Sequence, residues 1–446
     1  MGNKEEEASV TGKNVDDDDD IDDYSKRSNA GIYSAVFNLT TTIIGAGIMA
    51  LPATMKVLGL IAGIVMICLI GVLAEISVEL LIRFAVQCKA KSYGEVVQQA
   101  LGSPARIVSE ICIIVNNAGV LVVYLIIMGD VMSGSGRHAG VLEQWFGNGF
   151  WDNRKLVMLI MLIVFLAPLC ALDRIESLSM TSAASVVLAV LFVTITCVVA
   201  SIMFIEGKTA PPRLVPDVSS KKAIIELLVI IPVMSNAYVC HFNIQPIYNE
   251  LEGRSPRKMN IVGRITTAIC IMIYSLTAVS GYLLFGKNTE GDVLTNFDKP
   301  LGIRFSTTLN FIVRVGYIFH LILVFPVIHF SLRQTIDTLA FSGAVPLTES
   351  KNRCLGLTCA ILGILYLASI LIPSIWTAFK LTGATTAVSL GFTFPALIAL
   401  RLGRNGPLGL SSRERSSSWL MLVLAIIVSL VGVFGNIYGM QDGSSE

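Results

Sequence analysis

The chain has 446 residues, 54% of them hydrophobic and 15% charged, with 33 Lys and Arg against 32 Asp and Glu and a net charge of +1. A soluble globular chain carries about 25% charged residues. Here the apolar residues arrive in blocks long enough to cross a bilayer, which predicts an all-α integral membrane protein with lipid as its surroundings. The balanced charge, with no basic stretch interleaved with aromatics, excludes a nucleic-acid partner.

In chain order, residues 1–30 come first: MGNKEEEASVTGKNVDDDDDIDDYSKRSNA, acidic and without an apolar core. They read as a disordered cytosolic tail rather than a cleavable signal. Glu6 stands where a myristoylation signal needs Ser or Thr. Eleven candidate spans follow, over 31–54, 57–84, 106–133, 156–172, 177–205, 224–249, 260–286, 305–331, 353–372, 375–400 and 417–439. The ninth and tenth meet in a tight turn at Ile372-Pro373-Ser374. With the amino terminus in the cytosol, Lys and Arg favour the cytosolic side by about two to one. That orientation puts the carboxyl terminus in a lumen or outside the cell.

Two spans are built to break. In the first, NLTTTIIGAGIMALP (Asn38–Pro52) interrupts an apolar run with three threonines, two glycines and a proline. In the sixth, VMSNAYVCHFNIQPIYNEL (Val233–Leu251) does so with Ser235, Asn236, His241, Asn243, Gln245 and Pro246. Proline removes a helix hydrogen bond and glycine loosens the backbone. In hydrocarbon such backbone survives where it lines a cavity or is buried in protein. Breaks five helices apart run in opposite directions, the pattern of an inverted repeat with a site at the midplane. The predicted units are 31–206, 224–401 and a peripheral eleventh helix at 417–439. Freed amides suit a carboxylate and freed carbonyls an ammonium, so the expected cargo is a small zwitterion.

Ionisable residues inside the membrane are functional candidates. Glu75 and Glu79 share one face of span two, where Arg83 is placed to pair with Glu79 and Glu75 has no nearby cation in sequence. Arg314 on span eight cannot lose its proton. It is expected to be a structural charge held by backbone carbonyls or a carboxylate, with Glu75 as one guess. Histidine as a residue type changes charge near physiological pH, so His241 and His320 join Glu75 as proton-coupling candidates. The nine cysteines lie mostly in apolar runs without metal-ligand spacing, and the sequon at Asn38 is inside the membrane. No HExxH, paired-Asp or Ser/His/Asp set stands out. The chain is therefore expected to be no enzyme and to have no cofactor, no metal and no catalytic residue.

AVFNLTTTIIGAGIMALP and AYVCHFNIQPIYNEL together resemble the amino acid/auxin permease family, within the amino acid–polyamine–organocation superfamily. The resemblance is close to the branch holding the vacuolar amino-acid transporters of fungi and plants and the sodium-coupled neutral amino-acid transporters of animals. The resemblance implies a five-plus-five inverted repeat with discontinuous helices one and six, and amino-acid transport by alternating access. It implies substrate contacts from Thr41, Ile44, Gly45, Ala46 and Gly47 on span one and from Tyr238, His241 and Asn243 on span six. Sodium-coupled relatives carry Asn at the place of Thr41 and threonines midway along span eight, where this chain has Ile322 and Val324. Those side chains offer no oxygen to sodium, which favours protons as the coupling ion. The branch implies a vacuolar or other endomembrane, with the plasma membrane as the alternative. An amino-acid sensor signalling through the acidic tail is the second reading.

Overall fold

Apolar helices dominate because main-chain polar groups in hydrocarbon must pair internally. The computed structural model describes residues 31–135, 138–172, 179–209, 211–303, 305–372, 375–404 and 409–443. The acidic tail expected over 1–30 and the turn at Pro373-Ser374 lie outside them. The first span is a bent pair, α1 (Gly31–Ile43) and α2 (Gly47–Leu58), meeting at 55°. Then come α3 (Leu60–Gln87), the short α4 (Tyr93–Leu101), α5 (Ser103–Ser133), a two-residue antiparallel hairpin of β1 (Gly134–Ser135) and β2 (His138–Ala139), and α6 (Val141–Phe146). The fourth span is in pieces: α7 (Arg154–Met161), a π turn over Leu162–Leu166, and α8 (Ala167–Cys170).

The chain continues with α9 (Ser179–Ile205), α10 (Lys221–Asn236), α11 (His241–Glu250) and α12 (Pro256–Phe285). A 3-10 turn, Val293–Asp298, leads to α13 (Ser306–Ala340) and α14 (Lys351–Leu371). The tenth span is α15 (Ile375–Thr382), two π turns (Gly383–Ala387 and Ser389–Thr393) and α16 (Phe394–Leu402). Last comes α17 (Ser412–Gly443).

Among the described residues nine helices are long and apolar enough to cross a membrane, or ten with the bent pair taken as one span. Each expected span has a helical counterpart. The fourth falls outside that number because its described helix, Arg154–Cys170 with the π turn included, is too short. The sixth break deflects its axis less than the first does, and Ala223–Glu250 still crosses as one span.

The long helices α12 and α13 form the middle of the packing. α12 lies against α2, α3 and α9, and α13 against α5 and α9. α17 packs on α10 and α16 and leaves Leu420, Ile427, Leu430 and Phe434 exposed, as a lipid-facing helix does.

Buried arginines tie helix ends together. Arg333, 1% exposed, donates to the carbonyls of Cys170 and Leu172, both at 2.7 Å, and to Thr358 Oγ1 at 2.8 Å. Methionine has similar reach and no donor. Arg333→Met is therefore expected to cost about 3 kcal/mol of stability, read as a lowered melting temperature in detergent. An unchanged melting temperature would show that these bonds are dispensable.

Candidate functional site

The first break occupies Ile44, Gly45 and Ala46, between α1 and α2. Its glycines are required by close approach rather than by unusual torsions. A Cβ on Gly45 would collide with the Tyr124 hydroxyl. A Cβ on Gly47 would stand 3.0 Å from the Cβ of Ala237, in the second break, so the two interruptions touch here. Pro52, one turn on, supplies no N–H to the ladder of α2.

Two carbonyls at this break, Ile43 and Gly45, accept the Gly45 N–H at 3.1 Å and the Ile48 N–H at 3.3 Å, and phenols meet both of them as well. Tyr274 of α12 lies 2.6 Å from the Ile43 carbonyl and 2.7 Å from the Ala237 carbonyl, so its hydroxyl reaches both breaks. Tyr317 of α13 donates to the Gly45 carbonyl at 2.8 Å. Sequence reasoning missed Tyr124, Tyr274 and Tyr317. A signal was present: membrane tyrosines favour the interfaces, and these three sit well inside long apolar helices.

The second break runs from Ala237 to Cys240. Ser77 Oγ donates to the Gly391 carbonyl, so the 2.9 Å contact from His241 Nε2 to that oxygen is a donation by the ring. The lone pair of His241 Nδ1 is left without a partner. Asn243 Nδ2 donates to Thr42 Oγ1 at 3.0 Å and joins α11 to α1, while its Oδ1 is unpaired. Asn236 Nδ2 donates to Thr382 Oγ1 at 3.1 Å, and its Oδ1 is also unpaired. The Tyr238 ring meets Tyr274 edge-on, centroids 5.0 Å apart, with its hydroxyl buried and unpaired.

Buried polar atoms in native proteins are seldom unpaired without a reason. Three of these, His241 Nδ1, Asn236 Oδ1 and Asn243 Oδ1, are acceptors lacking a donor. Such a set is complementary to a group rich in N–H.

The remaining candidates divide between two sides of the breaks. Ile44 and Ala46 are buried within the first. Thr41 faces α9, its Oγ1 3.0 Å from both the Ser182 carbonyl and Ser185 Oγ. His320 joins that side: Nδ1 donates to the Ser185 carbonyl at 2.7 Å, the ring lies near the Ile44 backbone, and Nε2 has no partner.

Glu75 lies apart, partly exposed and 3.5 Å from Arg264 of α12. Arg83 reaches Glu414 of α17 at 2.8 Å. Arg314 bonds the carbonyls of Val131 at 2.9 Å and Ala139 at 2.7 Å and the Gln144 amide oxygen at 3.2 Å, so backbone carbonyls rather than Glu75 hold it.

Residues 28–441 match the family described as transmembrane amino acid transporter protein. The amino acid transporter AVT6E of Arabidopsis thaliana is 68% identical over 442 residues, covering 98% of this chain and 90% of that protein. The amino acid transporter AVT6A of the same plant is 44% identical over 417 residues, covering 93% and 90%. Among solved structures, a manganese transporter of Eremococcus coleocola aligns with a TM-score of 0.61 at 12% identity, over 91% of this chain and 86% of its own. A sodium-coupled sialic acid symporter in a substrate-bound outward-open state aligns with a TM-score of 0.54 at 14% identity, over 91% and 89%. At such identities the structures establish the fold, that of membrane transporters, while the sequence relatives establish kinship. The chain is a multi-pass membrane protein and belongs to the transmembrane amino acid transporter family, a family of carriers rather than enzymes.

Proposed function

We propose that the chain is a secondary transporter that moves amino acids by alternating access and couples their movement to protons. The observation that carries this reading is the pair of touching breaks, the second flanked by the unpaired acceptors of Asn236, His241 and Asn243. An amino acid's ammonium supplies three N–H donors, which fits the bare atoms of His241, Asn236 and Asn243. Its carboxylate fits the backbone at the start of α2, where a helix N-terminus favours an anion. The relatives named as amino acid transporters support the same cargo.

His320 is our candidate for the coupling proton. Its Nδ1 is committed to α9, and its unpaired Nε2 lies near the first break. A proton on Nε2 would create a donor beside the Ile44 carbonyl and tie spans one, five and eight together. That is the service a bound sodium gives by ligation, in a region where Ile322 and Val324 bring no oxygen.

In the same reading the units 31–206 and 224–401 rock against one another and α17 stands outside. The amino terminus is cytosolic and the membrane vacuolar.

Reconstituted in liposomes, the protein is expected to take up labelled amino acids when a pH gradient is imposed. A sodium-dependent, pH-independent current would overturn proton coupling. Gly45→Ala drives a methyl group into the Tyr124 hydroxyl, and uptake should fall by about tenfold or more, equivalent to ~1.4 kcal/mol, with protein yield unchanged. Normal uptake would remove the first break from the site. His320→Gln should abolish substrate-driven proton movement, followed with a pH dye inside the vesicles, while substrate exchange at equal pH persists. Proton movement at the wild-type ratio would exclude His320. Deleting residues 2–28 should leave flux unchanged, whereas a sensor signalling through its tail would lose its output.

A further inference from the structure

Away from the breaks, the loop joining α12 to α13 holds a second buried titratable group. Its 3-10 turn, Val293–Asp298, packs on α2, α5, α13 and β2, with Val293, Leu294 and Phe297 buried. Gly281 of α12 lies beside both Val293 and Pro52 of α2, so the turn seats over the second half of span one, on the face where α2 ends. Asp292 starts the turn. Its Oδ1 accepts the Leu294 N–H at 3.0 Å, its carbonyl accepts Thr295 Oγ1 at 2.7 Å, and the residue is 7% exposed.

The groups facing Asp292 come from every element around the seat. α13 brings Arg314 and Tyr317, and α5 brings Asp130, which pairs with Arg154 of α7 at 2.5 Å. β2 brings His138, 3.0 Å from Asp298 Oδ2, while Asp298 Oδ1 has no partner. α2 brings Lys56, exposed and bonded to the Thr289 carbonyl at 3.2 Å, and the loop itself carries the exposed Glu290. The Arg314 Nη atoms bond Val131, Ala139 and Gln144 while its Nε has no partner, and no ion pair reaches Asp292 among the described residues.

Setting the exposed Lys56 and Glu290 aside, two guanidiniums, Arg154 and Arg314, face three carboxyls, Asp130, Asp292 and Asp298. The set is neutral when it holds one proton, on Asp292 or His138. Burial pushes the Asp292 carboxyl up to about 7, with Asp130 adding to the shift and the Leu294 N–H and Arg314 opposing it.

We infer that this seat is a proton-binding site of the transport cycle, and that the loop closes over span one when Asp292 has taken a proton. Of the residues that serve the breaks it shares only Tyr317, which faces Asp292 and donates to the Gly45 carbonyl, and its titrating group is distinct from His320. A carboxyl in the open, hydrated loop titrates near its ordinary value of about 4. Closure is therefore favoured in full below that pH and loses ground as the pH rises to about 7, where the seated carboxyl also ionises. Across that window the closed-to-open ratio falls by about tenfold per pH unit, and above it the ratio is flat.

The test uses the full chain in liposomes, with Thr295→Cys as the reporter and a membrane-impermeant maleimide added from the face of the loop. Val218→Cys, exposed on the loop between α9 and α10, serves as the reference for reagent chemistry. In the otherwise wild-type protein the reporter-to-reference ratio should fall by about tenfold per unit as the pH drops from 7 to 5. Asp292→Asn and Asp292→Ser both keep a capping oxygen for Leu294 while removing the titration. Each should give a low ratio that does not change with pH. A flat ratio in the wild-type background, or a wild-type slope in either variant, overturns the inference. Failure of proton-coupled uptake would leave this labelling result unaffected, so the two readings fail separately.

Discussion

A carbonyl left unpaired in hydrocarbon costs several kcal/mol, and this constraint organises the molecule around its two breaks. Tyr274 and Tyr317, on two different helices, carry hydroxyls to the Ile43 and Gly45 carbonyls at the first break, beside the longer main-chain bonds those oxygens accept, and Tyr274 reaches the second break as well. Each phenol must arrive at hydrogen-bond distance from mid-helix. That fixes the height and rotation of α12 and α13 relative to span one, and Tyr124 crowding Gly45 does the same for α5. The scaffold is arranged to let two helices be discontinuous without leaving the backbone bare.

Much of this was legible in the sequence, for a physical reason. Span positions follow from run length, and the breaks follow from glycine, proline and polar residues placed where lipid tolerates none of them without compensation. Thus the interruptions at Gly45 and near Tyr238 fell where expected. The compensation was not legible. Tyr274 and the Ile43 carbonyl are 231 residues apart, and Tyr317 and Gly45 are 272 apart. In sequence such a tyrosine reads as bulk. Thr41 illustrates the same limit: its residue type announces a hydrogen bond, but only packing reveals that α9 receives it. The Arg314 carbonyl ligands and the buried Asp292 belong with it, since loop residues reveal their burial only once the chain has closed around them.

Charged groups near the helix ends and polar groups around the breaks have different partners. Near the ends, Arg333 of α13 holds the carbonyls of Cys170 and Leu172 and the Thr358 hydroxyl, and Arg353 of α14 stands 2.8 Å from Asp337 of α13, contacts that join one helix to another. Around the breaks, His241, Asn236 and Asn243 each commit one atom and hold an acceptor bare. A bare acceptor keeps capacity for a donor that comes and goes.

A phenol has a single hydrogen to give. Tyr274 stands within reach of two main-chain oxygens, one in each interruption, and serves one of them at any instant. The Ile43 oxygen also accepts the Gly45 N–H at 3.1 Å, so it keeps a partner when the phenol turns to Ala237. One hydrogen thus links the two halves without being fixed to either. A visiting cation that takes over at one oxygen would release the phenol wholly to the other.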